Sequence, residues 1–191
     1  MRLLRLEADD GFSLTEFIGQ SVPRYAILSH TWGTDGEEVT FKDLENGTGQ
    51  QKSGYNKLSF CGKQAAKDGL QFFWVDTCCI DKSSSAELSE AINSMFRWYQ
   101  NATKCYVFLS DVSTSIFTGI HMSSQQTPTI QHSRWFTRSW TLQELLAPKS
   151  VEFFSVEASF FHTTIFIYKV SRHVLHKHRK ISTFYALFKT S

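Results

Sequence analysis

The stretch YAILSHTWG, residues 25–33, decides the fold that the sequence predicts. A compact apolar run followed by polar residues and a glycine is typical of a buried strand that opens into a loop. In an open α/β sheet, ligands bind beyond the carboxyl ends of the strands. Ser29, His30, Trp32 and Gly33 are therefore candidate binding residues. The pattern also fits a strand end that leads into a helix cap, and the sequence leaves both interpretations open.

Three further apolar runs predict buried strands, and helical patterns lie between them. These strands are expected over residues 70–76, 104–110 and 150–154. Apolar residues at helical spacing predict one helix over residues 55–68, stopped by Gly69, and another that begins after Ser84. The alternation indicates an α/β fold in three layers, with a mostly parallel central sheet and a flavodoxin-like strand order.

Local patterns give four further expectations. Leu3, Leu4 and Leu6 predict an edge strand, and residues 39–41 predict a short strand. Ser84 and Glu87 match a capping box at the start of the second helix. The stripe that follows on this helix predicts burial in the core, and its residues are Leu88, Ala91, Ile92, Met95, Phe96 and Tyr99.

Residues 135–148, WFTRSWTLQELLAP, contain one acidic side chain among apolar ones. Ser139 as a cap and Pro148 as a stop predict a short helix that carries Glu144. A carboxylate against apolar walls is either paired with a cation, here Arg138, or kept for chemistry. The predicted strands end in Ser29-His30, in Asp76 and in Ser110-Asp111, so we expect Glu144 to face a cleft at that edge.

Composition limits the class of protein. The 191 residues fit one domain, and 41% hydrophobic residues suffice for a core. A net charge of +2 does not indicate nucleic-acid binding, and no apolar run reaches the length of a membrane span. The first residues lack the apolar core of a secretory signal, so an intracellular, cytoplasmic protein is expected.

The cysteines and the last residues do not indicate a specific site. Cys61, Cys78, Cys79 and Cys105 form no Cys-x-x-Cys motif and no disulfide framework, so we predict no metal site. Residues 156–191 carry six Lys or Arg against one acidic residue. They are expected to be a basic tail, and its structure does not follow from the sequence.

Three blocks together resemble the heterokaryon incompatibility (HET) domain of filamentous fungi. They are residues 25–33, residues 73–99, which begin FWVDTCCID, and residues 134–148, which begin RWFTRSWTLQEL. The resemblance covers residues 1–155. It implies an effector domain of heterokaryon (vegetative) incompatibility, which triggers programmed cell death on non-self recognition.

In well-known members of that family, a nucleotide-binding oligomerisation module and sensor repeats follow the HET domain. This sequence has neither a Gly-x-x-x-x-Gly-Lys-Ser/Thr phosphate loop nor repeats. The resemblance therefore implies an effector domain without its sensor, or a truncated relative of a longer protein. The implied partners are a second copy of the domain or a sensor protein.

The HET domain is in turn similar to TIR domains. TIR domains carry a Ser-x-Trp-Cys-x-x-Glu-Leu pattern, and residues 139–145, SWTLQEL, resemble it closely. Here Ser139 stands directly before Trp140, and Thr141 stands in place of the cysteine. Enzymatic TIR domains require that glutamate to cleave NAD at the nicotinamide–ribose bond. The resemblance implies a TIR-like fold, Glu144 as the catalytic residue, and NAD as a substrate, not a cofactor. Other TIR domains only scaffold, so a non-catalytic assembly module in death signalling is the alternative.

The chemistry of this bond needs few groups. Nicotinamide leaves as a neutral molecule, and a carboxylate stabilises the remaining oxocarbenium ion, as in glycosidases. Trp32 or Trp140 could stack on a flat ring, and Asp76 completes the predicted binding set. Backbone amides of residues 29–33 could face the pyrophosphate.

The sequence offers two other candidate sites. A surface around Trp32 and Trp135 would serve the assembly module. A cysteine hydrolase would use Cys78 or Cys79 with His30 as the base. The plainer interpretation of both thiols is that they are buried structural residues.

Overall fold

The computed structural model describes residues 1–19, 22–113 and 132–161, and the strands of these residues form one sheet. The strands are β1 (Arg2–Leu6), β2 (Phe12–Glu16), β3 (Tyr25–His30), β4 (Phe72–Trp74), β5 (Lys104–Phe108) and β6 (Val151–Phe154). The helices are α1 (Phe41–Glu45), α2 (Tyr55–Lys67), α3 (Ser85–Asn101) and α4 (Thr141–Leu146). A 3-10 turn over Arg134–Thr137 precedes α4.

The order of the strands places the site. The sheet runs β2-β1-β4-β3-β5-β6, and the last four strands are parallel neighbours. Their order, with the second parallel strand before the first, is the flavodoxin-like arrangement predicted from the sequence. From β3 the chain first forms β4 on one side of it and then β5 on its other side, so the topological switch point lies between β3 and β5. Ligands of such sheets bind at that point, beyond the carboxyl ends of the strands.

Side chains alternate between two covered faces of the sheet. In β4, Phe73 points toward α2, where it lies close to Gly62, while Trp74 lies 5.4 Å from Trp98 of α3 between ring centroids. On the α2 face, the ring centroid of Phe60 lies 4.9 Å from that of Phe154. Helices thus cover both faces, and the predicted three-layer α/β architecture with a mostly parallel sheet is confirmed.

The central strand β3 supplies much of the core. All six of its residues are buried, as its apolar sequence predicts. Full burial of a large apolar side chain contributes about 1.5–3 kcal/mol. The carboxyl end of β3 therefore has little freedom to move, and the groups it carries are held in fixed positions.

Near the amino terminus, two of the predictions are wrong. β1 is not an edge strand, because β2 pairs antiparallel with it and forms the edge instead. Residues 39–41 do not form a strand. Thr40 caps α1, with its hydroxyl accepting from the Asp43 N–H and the Asp43 carboxylate accepting from the Thr40 N–H. These local hydrogen bonds outweigh the strand preference of the segment.

Helix α3 differs from its prediction in two details. Ser84 is its cap, but Glu87 pairs with Arg2 and accepts from the Asp81 N–H at 2.8 Å instead of completing a capping box. Ile92 is 45% exposed, so the predicted core stripe is wrong at that residue. The cause is a cleft beside α3, described below, which leaves that part of the stripe open.

Some predicted segments fall largely outside the described residues. These are the loop predicted between residues 112 and 134 and the basic tail over residues 156–191. In the described part of the tail, Phe160 forms an antiparallel bridge with Phe154 of β6. Among the helices of the described ranges, none is long and apolar enough to cross a membrane.

We expect Gly69→Ala to lower the free energy of unfolding by about 1 kcal/mol, because Gly69 has a φ of +70° after α2. No atom lies within 4 Å of an added Cβ, so the cost isolates the backbone strain. Urea denaturation measures it. Gly36→Ala is the matched control, since its added Cβ also meets open space. Equal stability of the two variants would contradict the prediction.

Candidate functional site

The carboxyl edge of the sheet collects the polar side chains predicted there. Ser29 and His30 are the last residues of β3, and Asp76 follows β4 by two residues. Glu144 reaches the same edge from α4. The strand order explains the convergence, because β3 lies between β4 and β5 with its carboxyl end beside theirs.

Glu144 lies at the floor of this site and is 1% exposed. Ser29 Oγ donates to Glu144 Oε2 at 2.6 Å. Arg138 forms a bidentate pair, with Nη1 donating to Oε2 and Nη2 donating to Oε1, both at 2.9 Å. Trp135 Nε1 in turn donates to Ser29 Oγ at 2.7 Å. The pairing of Glu144 with Arg138 is confirmed, and three hydrogen bonds from two residues hold the carboxylate.

The segment before Glu144 folds differently from its prediction at one residue. Helix α4 is capped at Trp140, not at Ser139, and that cap makes no side-chain hydrogen bond. Thr141 Oγ1 instead donates to the Trp135 carbonyl at 2.7 Å and ties α4 to the preceding 3-10 turn. Because Thr141 is fully buried, this bond fixes the direction in which α4 presents Glu144.

Burial and charge act in opposite directions on the ion pair. Burial raises the pKa of Glu144, the charge and hydrogen bonds of Arg138 oppose that shift, and the nearby Asp76 carboxylate adds to it. Burial alone would lower the pKa of Arg138, but the carboxylates of Glu144 and Asp76 outweigh it and raise that pKa. The guanidinium therefore stays charged and neutralises Glu144.

Asp76 has a different environment. Its Oδ1 lies 3.0 Å from His30 Nε2, and its Oδ2 accepts from Trp32 Nε1 at 2.9 Å. Burial acts to raise the pKa of Asp76, but the hydrogen bond from His30 and the charges of Lys82 and Arg138 outweigh it and hold that pKa below its usual range. Asp76 is therefore ionised at neutral pH.

Both carboxylates line one cavity of about 320 Å³. Two indoles stand at its rim, with Trp32 47% and Trp140 43% exposed. The Lys82 ammonium lies 3.7 Å from the centroid of the Trp32 ring. The remaining wall is mostly apolar, with Ile80, Leu88, Ile92 and Met95 beside Arg138 and Ser139. A mostly apolar pocket with a few convergent polar groups is typical of a small-molecule site.

The structure brings together six of the seven predicted site residues: Ser29, His30, Trp32, Asp76, Trp140 and Glu144. Gly33 is the exception. Its N–H donates to Glu38 Oε1 at 2.6 Å, so this amide is not available for the predicted contact with a pyrophosphate. Gly33 lines an adjoining cavity of about 360 Å³, which shares the wall of Trp32, Ile80 and Lys82.

Several residues of the cavity were not predicted. Lys82 has no pattern around it that signals a site. Ile92 and Met95 belong to an apolar stripe of ordinary width, which predicts burial in the core and does not signal a site. The predicted interaction surface around Trp32 and Trp135 is wrong at Trp135, because Trp135 is fully buried.

The cysteine hydrolase has no support in the described residues. Cys78 and Cys79 are buried, and their hydrogen bonds are to the backbone of Val75. Burial raises the pKa of the Cys78 thiol, which disfavours the thiolate that a nucleophile needs. Within the part of the chain that the structure describes, no three His, Cys, Asp or Glu side chains cluster as metal ligands would.

Replacing Arg138 by Met leaves Glu144 buried without its cation. We expect a loss of about 3–5 kcal/mol in the free energy of unfolding at neutral pH. Burial then raises the pKa of Glu144 further, because only the Ser29 hydrogen bond still opposes it. The folded state binds the extra proton, and the deficit shrinks as the pH falls. Denaturation at several pH values measures this. Arg24→Met, at an exposed position, is the control. A deficit that is independent of pH would contradict the argument.

The pKa of Asp76 is shifted in the direction opposite to that of Glu144, and this gives a separate prediction. Its pKa is lower in the folded state than the unfolded value of about 3.9, so its stabilising contribution is complete above that value and is lost as the pH falls through the folded value. The stability deficit of Asp76→Asn is therefore expected to be full at pH 6 and to shrink below about pH 4. A deficit that grows on acidification would rule this out.

Comparison with known proteins identifies the family. The model of the family described as heterokaryon incompatibility protein (HET) matches residues 25–129, more than half of the chain. The chain is also 58% identical over 160 residues to vegetative incompatibility protein HET-E-1 of Podospora anserina. That match covers 82% of this chain and 12% of the relative, so the chain spans a small part of the relative's length. No solved structure matches the chain. The chain belongs to the heterokaryon incompatibility (HET) protein family.

Proposed function

We propose that this chain is an effector domain of heterokaryon incompatibility, which triggers programmed cell death on non-self recognition by hydrolysing NAD. Family membership and the similarity to a vegetative incompatibility protein support the biological part. One observation carries the chemical part. The cleft at the carboxyl edge of the sheet presents two carboxylates, Asp76 and Glu144, beneath the exposed indoles of Trp32 and Trp140.

This set of groups suits cleavage of the nicotinamide–ribose bond. The electron pair of the bond leaves with the pyridine nitrogen and cancels its positive charge, so the leaving group needs no proton. The ribose carbon becomes an oxocarbenium ion, and a fixed carboxylate stabilises it. An indole at the rim can stack on the flat nicotinamide ring. Water then adds to the ribose carbon and gives ADP-ribose.

The volume of the cleft limits which part of NAD it could hold. A cavity of about 320 Å³ is at the lower end of the range of about 300–1,000 Å³ for ligand pockets, which suits the nicotinamide riboside part. The adjoining cavity of about 360 Å³ offers space for the rest of the dinucleotide. Lys82 stands on the shared wall, where an ammonium can meet the pyrophosphate.

Activation and location are part of the proposal. The domain would be switched on by assembly, either with further copies of itself or with a sensor protein. The four cysteines are all free and buried, as expected for a reducing compartment. The proposed reaction therefore takes place inside the cell, where NAD is available.

We expect purified protein to release nicotinamide from NAD under conditions that promote assembly, measured by chromatography. Glu144→Gln is expected to reduce the rate at least about 100-fold, because it breaks the hydrogen bonds of Glu144 with Arg138 and Ser29 that fix the geometry of the cleft. Glu90→Gln, at an exposed position of α3, keeps the rate and serves as the control. Thermal unfolding of each variant separates lost chemistry from lost folding. No release by the wild type, or full activity in a folded Glu144→Gln protein, would contradict the proposal.

A second candidate is a non-catalytic assembly module, and the exposed apolar side chains of the cleft favour it. Trp32, Ile92 and Trp140 could receive an apolar side chain of a partner instead of a cofactor-sized ligand. Expression in fungal cells distinguishes the two functions. Cell death with unchanged NAD, retained in Glu144→Gln, would support the assembly module.

A further inference from the structure

We propose that Asp76 is the carboxylate that contacts the ribose of the substrate, while Glu144 acts behind it by fixing Arg138. This inference rests on the proposed hydrolysis of NAD and assigns its two carboxylates to different tasks. It departs from the TIR-like pattern, which implies that the glutamate itself is the reacting group.

Glu144 is poorly placed to meet a ligand. Its side chain is 2% exposed, and Arg138 donates to both of its oxygens. Oε2 accepts a further hydrogen bond from Ser29. A carboxylate that is bidentately paired with a guanidinium offers a developing cation little net negative charge. In this arrangement, Glu144 can orient its neighbours but cannot be the main stabiliser of the ribose cation.

Asp76 is more exposed to the cavity than Glu144. Its side chain is 13% exposed and lines the same cavity. His30 and Trp32 each engage one of its oxygens, which leaves each oxygen a second lone pair for a ligand. Both partners are rigid rings, and His30 is itself buried, so the orientation of the carboxylate is fixed before a substrate arrives.

The charges around the two groups also separate their roles. The groups that act on Asp76 are His30, Lys82 and Arg138, and they hold it in its ionised form. Burial instead raises the pKa of Glu144 and favours its neutral form, against the opposing effects of Arg138 and of the Ser29 hydrogen bond. Two carboxylates with opposite environments usually divide the work of a site between them.

The reaction assigned to Asp76 is balanced in atoms and charge. The bond between the ribose carbon and the pyridine nitrogen breaks, and its electrons stay on nicotinamide. The carboxylate of Asp76 faces the resulting oxocarbenium ion across the cavity. A water molecule then bonds to that carbon and passes a proton to Asp76, which releases it to solvent. The products are nicotinamide, ADP-ribose and one proton.

Glu144 and Arg138 have a positioning role in this scheme. Arg138 lines the cavity and its charge acts on both carboxylates. Glu144 holds the Arg138 guanidinium in place, and Ser29 in turn holds the Glu144 carboxylate. Loss of Glu144 therefore displaces Arg138 and α4, which lowers the rate indirectly.

The test compares Asp76→Asn, Asp76→Glu and Glu144→Gln in NAD turnover at pH 7, where each is checked for folding. Asp76→Asn is expected to lower kcat at least about 100-fold with a small change in KM, because the charge is used in the transition state. Asp76→Glu restores part of kcat, since it restores the charge. Asp9→Asn, at an exposed turn remote from the cleft, keeps the wild-type values.

A binding measurement does not depend on turnover. Nicotinamide riboside carries a positive charge and nicotinamide carries none, and both can be titrated against the tryptophan fluorescence of the cleft. Asp76→Asn is expected to weaken binding of the cation several-fold and to leave binding of nicotinamide unchanged. Glu144→Gln, which retains Asp76, is expected to keep the preference for the cation.

The outcomes separate this inference from the proposed function. A folded Asp76→Asn protein with the wild-type kcat, or with an unchanged preference for the cation, overturns the role of Asp76. A folded Glu144→Gln protein that has lost the cation preference, beside an Asp76→Asn protein that keeps it, makes Glu144 the contacting group. Absence of NAD turnover in the wild type refutes the proposed function. In that case the cation titration still decides whether Asp76 contacts the ligand.

Discussion

The ion pair between the half-buried Arg138 and the buried Glu144 is the interaction on which the site depends. It joins the segment after the 3-10 turn to α4, and Ser29 extends the same network to the central strand. Taking two charges out of water is costly, and only good geometry and further hydrogen bonds offset that cost. The two parallel bonds from Arg138 and the bonds through Ser29 and Trp135 meet this requirement. Removing either partner would strongly destabilise the folded state, so the carboxyl edge of β3 is held in one arrangement.

The sheet explains why this network forms at the carboxyl edge. β3 is flanked by β4 and β5, and the chain changes direction around it. Loops from three strands therefore converge on a crevice that no single element could build. Helix α4 closes one side of the crevice and α3 closes another. The polar groups come from segments far apart in the chain, and backbone topology alone brings them together.

Much of this could be predicted, for identifiable reasons. Strands β3 to β6 and helices α2 and α3 have apolar patterns long enough to outweigh local alternatives. Strand β2, with Ser13, Thr15 and Glu16, lacks such a pattern because it lies at an edge. Six site residues were found because they follow strands or match a family motif. The relative exposure of Asp76 and Glu144 could not be predicted, since it depends on where Arg138 folds back.

The wall shared by the two cavities has a consequence of its own. Trp32 and Lys82 border both spaces, and their contact is part of each. A molecule that moves Lys82 off the indole on one side alters the surface on the other. Occupancy of the two spaces is then thermodynamically linked, and the factor by which one occupant changes the affinity for the second must equal the reverse factor. A dinucleotide that fills both spaces would include this coupling within a single binding event.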